Sequence, residues 1–304
     1  MNLVELLSAN ATQNPDRLAL VDGKGQSLTF AQLDRLSQRG AQQLLDAGVS
    51  RGDAVMFAHP IAIEVYVALL ASFRIGAVAV FFDPSAGREI IDAAVERTNP
   101  KAFFGGAKAH LLRLLKPSVR KIPVKFATVP GIPAKRWLAG VERPHEVIAD
   151  CEAVDPALIT FTSGSTGQPK AVVRSHGFLL AQYEALSGAM HFEAGDVDLI
   201  TLPVFTLANL AAGMTSVLAH TDLAKPGSAD AAPIDRQLQN ETQARRAEHV
   251  THAQLFGARA ADAETGCADE HALDAVVAPR GLQIGDNRCE AGLSGQGGEP
   301  GGRR

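Results

Sequence analysis

Nine consecutive residues concentrate the groups a polyphosphate needs: Thr162-Ser163-Gly164-Ser165-Thr166-Gly167-Gln168-Pro169-Lys170. Thr162, Ser163, Ser165 and Thr166 offer four hydroxyl donors. Gly164 and Gly167 let the backbone turn its N–H groups inward around an anion. Lys170 adds a fixed positive charge to neutralise phosphate oxygens. The segment is not a Walker A loop, because its lysine follows Gln-Pro rather than Gly, and Ala171 stands where that motif needs Ser or Thr for magnesium. Nor is it a Ser/Gly linker, since apolar segments flank it on both sides.

Those flanks are the elements that must hold it. Leu158–Phe161 reads as a strand entering the loop, 171–173 as an apolar segment leaving it, and about 175–190 as a helix. Upstream, residues 2–13 form a helix pattern stopped by Asn14-Pro15. Leu18–Val21 and Leu28–Phe30 flank Asp-Gly-Lys-Gly as a hairpin, and Thr29 can cap a helix carrying Leu33, Leu36, Gly40, Leu44 and Ala47. Strands at 54–57, 77–82 and 102–105 alternate with helices at 61–75, 87–97 and 107–115. That alternation predicts an α/β fold, with mixed, mostly parallel sheets flanked by helices. From Leu199 to Thr221 no Asp, Glu, Lys or Arg occurs. Pro203 interrupts the stretch, so it reads as a buried strand followed by a core helix rather than a membrane span.

The whole chain has 304 residues, a formal net charge of -4 and 46% hydrophobic residues. Twenty-nine Lys+Arg against 33 Asp+Glu exclude a broad electrostatic hold on nucleic acid or anionic lipid. Cys151, Cys267 and Cys289 have no disulfide or metal spacing, and Cys151 lacks the basic setting of a nucleophile. No metal site is expected from the residues themselves. A cytoplasmic protein, neither integral to a membrane nor bound to nucleic acid, is expected. The composition changes near residue 220. Leu, Ile, Val and Phe supply 21 of the 70 residues at 151–220 but 12 of the 84 at 221–304. The reading is therefore a folded region over 1–220 and a poorly packed, largely disordered tail over 221–304.

Phe161-Thr-Ser-Gly-Ser-Thr-Gly-Gln-Pro-Lys170 resembles the phosphate loop of the adenylate-forming (AMP-binding) superfamily of acyl-CoA synthetases and luciferases. Leu202-Pro-Val-Phe205 resembles a second motif of that superfamily, and Asn14-Pro15-Asp16 and Arg51-Gly52-Asp53 fit its N-terminal pattern. Asp83-Pro84-Ser-Ala-Gly87-Arg88, Lys108-Ala-His110-Leu-Leu and Asn209-Leu210 with Gly213-Met214-Thr215 resemble the bacterial olefin β-lactone synthetases. The resemblance implies activation of a carboxylate by ATP and Mg²⁺ to an acyl-adenylate. A long-chain β-hydroxy acid would then close to a β-lactone, whereas a fatty acid would pass to CoA.

By position, the resemblance assigns Thr162, Ser163, Gly164, Ser165, Thr166, Gly167 and Lys170 to the β- and γ-phosphates. It sets Phe205 beside the acyl or adenylate pocket. His176 matches a family histidine at a helix start, in contact with substrate or ordering the loop, and Arg174 reads as a solvated charge. The superfamily's aromatic-Gly-x-Thr-Glu segment and its C-terminal catalytic lysine are not recognisable after 220, so no catalytic residue is assigned. Lys225-Pro-Gly-Ser-Ala-Asp230 and Val250–Gly257 still resemble family sequence. The expectation is a frame-shifted or truncated copy beyond 220. It could be a working ligase or a non-catalytic remnant that binds nucleotide.

Overall fold

The computed structural model describes residues 1–82, 88–141, 143–163, 169–200 and 203–219, together with 232, 234, 236 and 237. They belong to one compact unit, Met1–Gly266. The elements in chain order are α1 (Leu3–Gln13), β1 (Leu18–Val21), β2 (Ser27–Thr29), α2 (Phe30–Asp46), β3 (Ala54–Ala58), α3 (Ile63–Arg74), β4 (Val78–Phe82), α4 (Arg88–Thr98), β5 (Ala102–Gly105) and α5 (Ala107–Leu115). They continue with α6 (Pro117–Lys121), β6 (Val124–Ala127), β7 (Lys135–Arg136), β8 (Pro156–Ser163), β9 (Pro169–Ser175), α7 (His176–Met190), β10 (Val197–Ile200), α8 (Pro203–Ala212) and β11 (Thr215–Leu218).

The expected α/β architecture is present as two sheets. The larger has seven strands in the order β7-β6-β5-β3-β4-β8-β9, parallel throughout except for the last pair, where β9 runs back along β8. The smaller has the order β10-β11-β1-β2, with only the β1–β2 hairpin antiparallel. Side chains of the large sheet alternate between two cores. Val55, Phe57 and Phe104 join α1, α2, α3 and the inner face of the small sheet, while Met56, Val80 and Phe103 pack on the other face with Ile90, Ile91 and Val119.

Local chemistry sets the helix starts. Thr29 Oγ1 accepts from the Gln32 N–H at 3.2 Å, and Gln32 Oε1 accepts from the Thr29 N–H at 2.9 Å, which closes a capping box on α2. Asn2 and Glu5 build the same box on α1, and the Asn2 amide also donates to the Phe73 carbonyl at 2.6 Å. In α3 every residue except Glu64 is buried, because this apolar helix lies in the core shared by the two sheets.

The structure corrects one element. The uncharged stretch after Leu199 holds the expected strand end and core helix, β10 and α8, but the helix stops at Ala212 and a further strand follows. Pro203 opens α8 as its first residue, where a missing N–H costs nothing, and Gly213 at φ 77° ends the turn after it. Thr215–Leu218 then forms β11, which pairs with β1 through Leu20 opposite Ser216. Among the described residues no helix is long and apolar enough to cross a membrane. The expected boundary at 220 and nearly all of the tail at 221–304 lie outside the described residues.

Candidate functional site

The loop expected to hold a polyphosphate is flanked by the two strands of a β-hairpin. Strands β8 and β9 pair antiparallel from Pro156 opposite Ser175 to Ser163 opposite Pro169, so the loop begins where the ladder ends. Thr162 lies directly opposite Lys170. Facing residues of an antiparallel pair project to the same side, with Cβ atoms about 5 Å apart. Both side chains are exposed. The register thus sets a hydroxyl and an ammonium side by side at the mouth of the loop.

Arg97 anchors that mouth from α4, donating through Nη1 to the Pro169 carbonyl at 2.9 Å. Gly164, Ser165, Thr166 and Gly167 lie outside the described residues, as does the Ser163 side chain. The described part fits a triphosphate: exposed donors, a cation and no facing carboxylate on the ladder. Among the described residues no group of three or more His, Cys, Asp or Glu could hold a metal, so the magnesium expectation finds no protein cage there. Mg²⁺ is often held largely by substrate phosphates and water, with one or two carboxylates.

The loop leaves the carboxyl end of β8, and β4 and β3 lie beside β8 with their carboxyl ends at the same edge. Ligands of open parallel sheets collect at this edge. A crevice of about 680 Å³ opens there, bordered by the ends of β3, β5, β6 and β11 and by the β1–β2 turn. Asp22, Lys24, Gln26, His59, Glu64, Lys108 and Thr128 supply its polar side chains. His59 Nδ1 lies 2.7 Å from the Pro60 carbonyl and must donate to it, which leaves Nε2 to accept from Thr128 Oγ1 at 3.0 Å. Sequence reasoning passed over these residues. Their signal is positional, since Ala58-His59 and Gly105-Gly106 end apolar strands of a parallel series.

Phe205 stands in the first turns of α8, half-buried against the main core, and does not line this crevice. Its neighbour Thr206 donates to the Tyr66 hydroxyl at 2.9 Å, fixing α8 to α3. Arg174 is not simply solvated: it is half-buried, and its Nη1 donates to Thr160 Oγ1 at 2.9 Å across the hairpin. Burial, not a partner acid, lowers its affinity for its proton. Cys151 is buried and its thiol pKa is raised by that burial, in keeping with an inert core residue.

The structure does not bring His176 to the loop. It follows Ser175 at the far end of the hairpin, six positions from Pro169, or about 20 Å along a strand. The side chain is wholly buried, edge-on to Phe73 with centroids 5.7 Å apart, and neither ring nitrogen has a hydrogen-bond partner. Burial pushes its pKa below the usual histidine value. His110 is held neutral in a different way. Its Nε2–H donates to the Phe126 carbonyl at 3.0 Å and its Nδ1 faces Arg113, while burial leads the lowering of its pKa.

Both histidines make stability depend on pH. The unfolded chain takes up their protons near pH 6.5, whereas the folded chain resists doing so. Stability is therefore complete above that pH and falls as pH drops below it, by about 1.4 kcal/mol per pH unit for each histidine until its folded pKa is reached. Urea unfolding should show lower stability at pH 5.5 than at pH 7, and His176→Leu should shrink that loss, with His110 and His145 supplying the remainder. An unchanged pH slope in His176→Leu would defeat this account.

A sequence profile of the AMP-binding enzyme family matches residues 7–254. Two curated relatives are olefin β-lactone synthetases. That of Xanthomonas campestris pv. campestris is 36% identical over 251 residues, covering 75% of this chain and 44% of the relative. That of Stenotrophomonas maltophilia is 33% identical over 258 residues, covering 78% and 46%. The chain thus spans about half the length of these relatives. Among solved structures, the inhibitor-bound N-terminal domain of FACL13 from Mycobacterium tuberculosis superposes with a TM-score of 0.67 at 21% identity, over 79% of this chain and 61% of that one. With its fold matched by such domains and the β8–β9 hairpin inside the matched residues, the chain belongs to the AMP-binding family of adenylate-forming enzymes.

Proposed function

We propose that this chain is the nucleotide-holding part of an AMP-forming ligase whose acid is a long-chain β-hydroxy acid. The observation that carries the reading is the pairing of Thr162 with Lys170 at the mouth of the loop, in a chain 33–36% identical to two olefin β-lactone synthetases. ATP is a substrate here. A carboxylate oxygen attacks the α-phosphorus and pyrophosphate leaves. The β-hydroxyl oxygen then attacks the acyl carbon, loses its proton and expels AMP, closing a β-lactone. Adenylation is needed because a carboxylate oxygen is otherwise a poor leaving group.

In this scheme Thr162, Ser163, Ser165, Thr166 and the backbone N–H groups at Gly164 and Gly167 hold the β- and γ-phosphates, and Lys170 compensates their charge. Arg97 keeps the mouth of the loop in place through Pro169. Phe205 borders the acid. His176 acts through packing, since it is buried away from the loop. A fatty acid passed to CoA is the alternative product.

A second reading, a nucleotide binder without turnover, is favoured by one observation: the residues present at 221–304 hold a single lysine, Lys225, and no aromatic-Gly-x-Thr-Glu segment. ATP–pyrophosphate exchange with long-chain 3-hydroxy acids and with fatty acids, followed by mass spectrometry of products, separates these readings. Acid-dependent exchange and a product of the acid's mass less water support β-lactone formation. A CoA thioester supports the alternative. ATP binding without exchange for any acid supports the non-catalytic reading, and neither binding nor exchange would sink both.

A further inference from the structure

The overall charge balance conceals a segregated stretch. Residues 97–141 carry ten Lys and Arg and no Asp or Glu, in a chain whose net charge is -4. At its centre, α5 turns an apolar face outward. Leu111, Leu114 and Leu115 are 57%, 77% and 69% exposed, at the i, i+3 and i+4 spacing that places them on one helix face. His110, by contrast, points inward between Phe103 and the Phe126 carbonyl. The leucines therefore lie on a side of α5 that the described residues leave exposed.

Exposed basic residues flank this face along the chain. Lys108 precedes Leu111 by one helical turn, and Arg120 and Lys121 follow on α6; all three are exposed. Arg113 leans back onto the Pro133 carbonyl at 3.1 Å, and Lys116 is neutralised by its ion pair with Asp92. Three exposed leucines flanked by cations, with no acid from 97 to 141, make a poor surface for water and a poor partner for a basic protein.

We propose that α5 and α6 dock on an anionic lipid surface, the leucines entering the headgroup boundary and Lys108, Arg120 and Lys121 meeting lipid phosphates. Short basic amphipathic helices bind membranes in this manner, by apolar insertion added to attraction for anionic headgroups. A phosphate surface complements the flanking cations, and hydrocarbon complements the leucines. The docking is peripheral, and it is independent of the ligase reading because it is measured without nucleotide or acid.

The test is flotation of the full chain with vesicles of phosphatidylcholine alone and of phosphatidylcholine with about 30% phosphatidylglycerol. Binding is expected to the anionic vesicles only and to fall steeply by about 0.5 M NaCl, where charge attraction is screened. Leu114→Gln with Leu115→Gln should weaken it about tenfold or more, and so should Lys108→Glu with Arg120→Glu and Lys121→Glu. All five positions are exposed, so circular dichroism melting should be unchanged. Equal binding to neutral vesicles, absence of binding, or binding undiminished in both variants would overturn the proposal. Sedimentation showing a dimer that Leu114→Gln with Leu115→Gln dissociates would assign the face to a second copy instead, and would overturn it as well.

Discussion

Replacing Lys170 by alanine is expected to weaken ATP binding by about 10- to 150-fold, since a hydrogen bond to a charged group contributes about 1.5–3 kcal/mol. Where exchange is measurable it should fall further, by about 10²–10³-fold, because a cation on the leaving pyrophosphate counts most as charge develops there. The position makes the experiment clean. Lys170 is exposed and opposite Thr162 at the end of the β8–β9 ladder, so removing its ammonium leaves no buried group without a partner. Unfolding free energy should change by no more than about 0.5 kcal/mol. Lys170→Arg should retain part of the affinity, as the charge persists while its reach and geometry change. Titration with a fluorescent ATP analogue gives the affinity directly, whether or not the chain turns over. Unaltered affinity in Lys170→Ala would remove the loop from the nucleotide site.

The loop was readable in the sequence because its chemistry is local. Hydroxyls, two glycines and a lysine within nine residues carry the expectation of anion binding before any tertiary contact is known. The Thr29 cap was readable for the same reason, since donor and acceptor are three residues apart. What escaped was set by distant partners. Strand β11 lies within a run of uncharged residues with no strand-like alternation, and its parallel neighbour β1 is almost two hundred positions earlier. The division into two sheets follows from that one pairing. His176 looks like a polar residue beginning a helix, and only the tertiary fold lays it against Phe73. The crevice at His59 and Thr128 likewise needs the register of β3, β5 and β6.

Arg74 is the strongest instance, and its removal should have the largest effect on stability. A sequence reading takes an arginine in the last turn of a helix as a solvated charge complementing the dipole. Instead the side chain is 1% exposed and paired with Asp34 of α2. Its Nη1 donates to the Glu146 carbonyl at 3.0 Å and its Nη2 to Ser8 Oγ at 3.1 Å, so one guanidinium joins α1, α2, α3 and the segment before β8. Burial lowers its pKa, yet Asp34 holds the charge in place. Arg74→Met would take the cation from the Asp34 carboxylate, leaving it only Ser8 Oγ and Gln38 Nε2 as donors, and breaking such a pair costs about 3–5 kcal/mol. A lowering of the melting temperature by about 10 °C is expected. Adding Asp34→Leu to Arg74→Met should restore a good part of that loss, because removing both charges also removes their desolvation cost. Arg74 ends α3 just before β4 begins, at the edge of the sheet opposite the loop. The folded fraction of Arg74→Met should therefore bind ATP normally, the reverse of what is expected for Lys170→Ala. A melting temperature unchanged in Arg74→Met, or a double variant no more stable than the single one, would show that the buried pair is not what couples these helices.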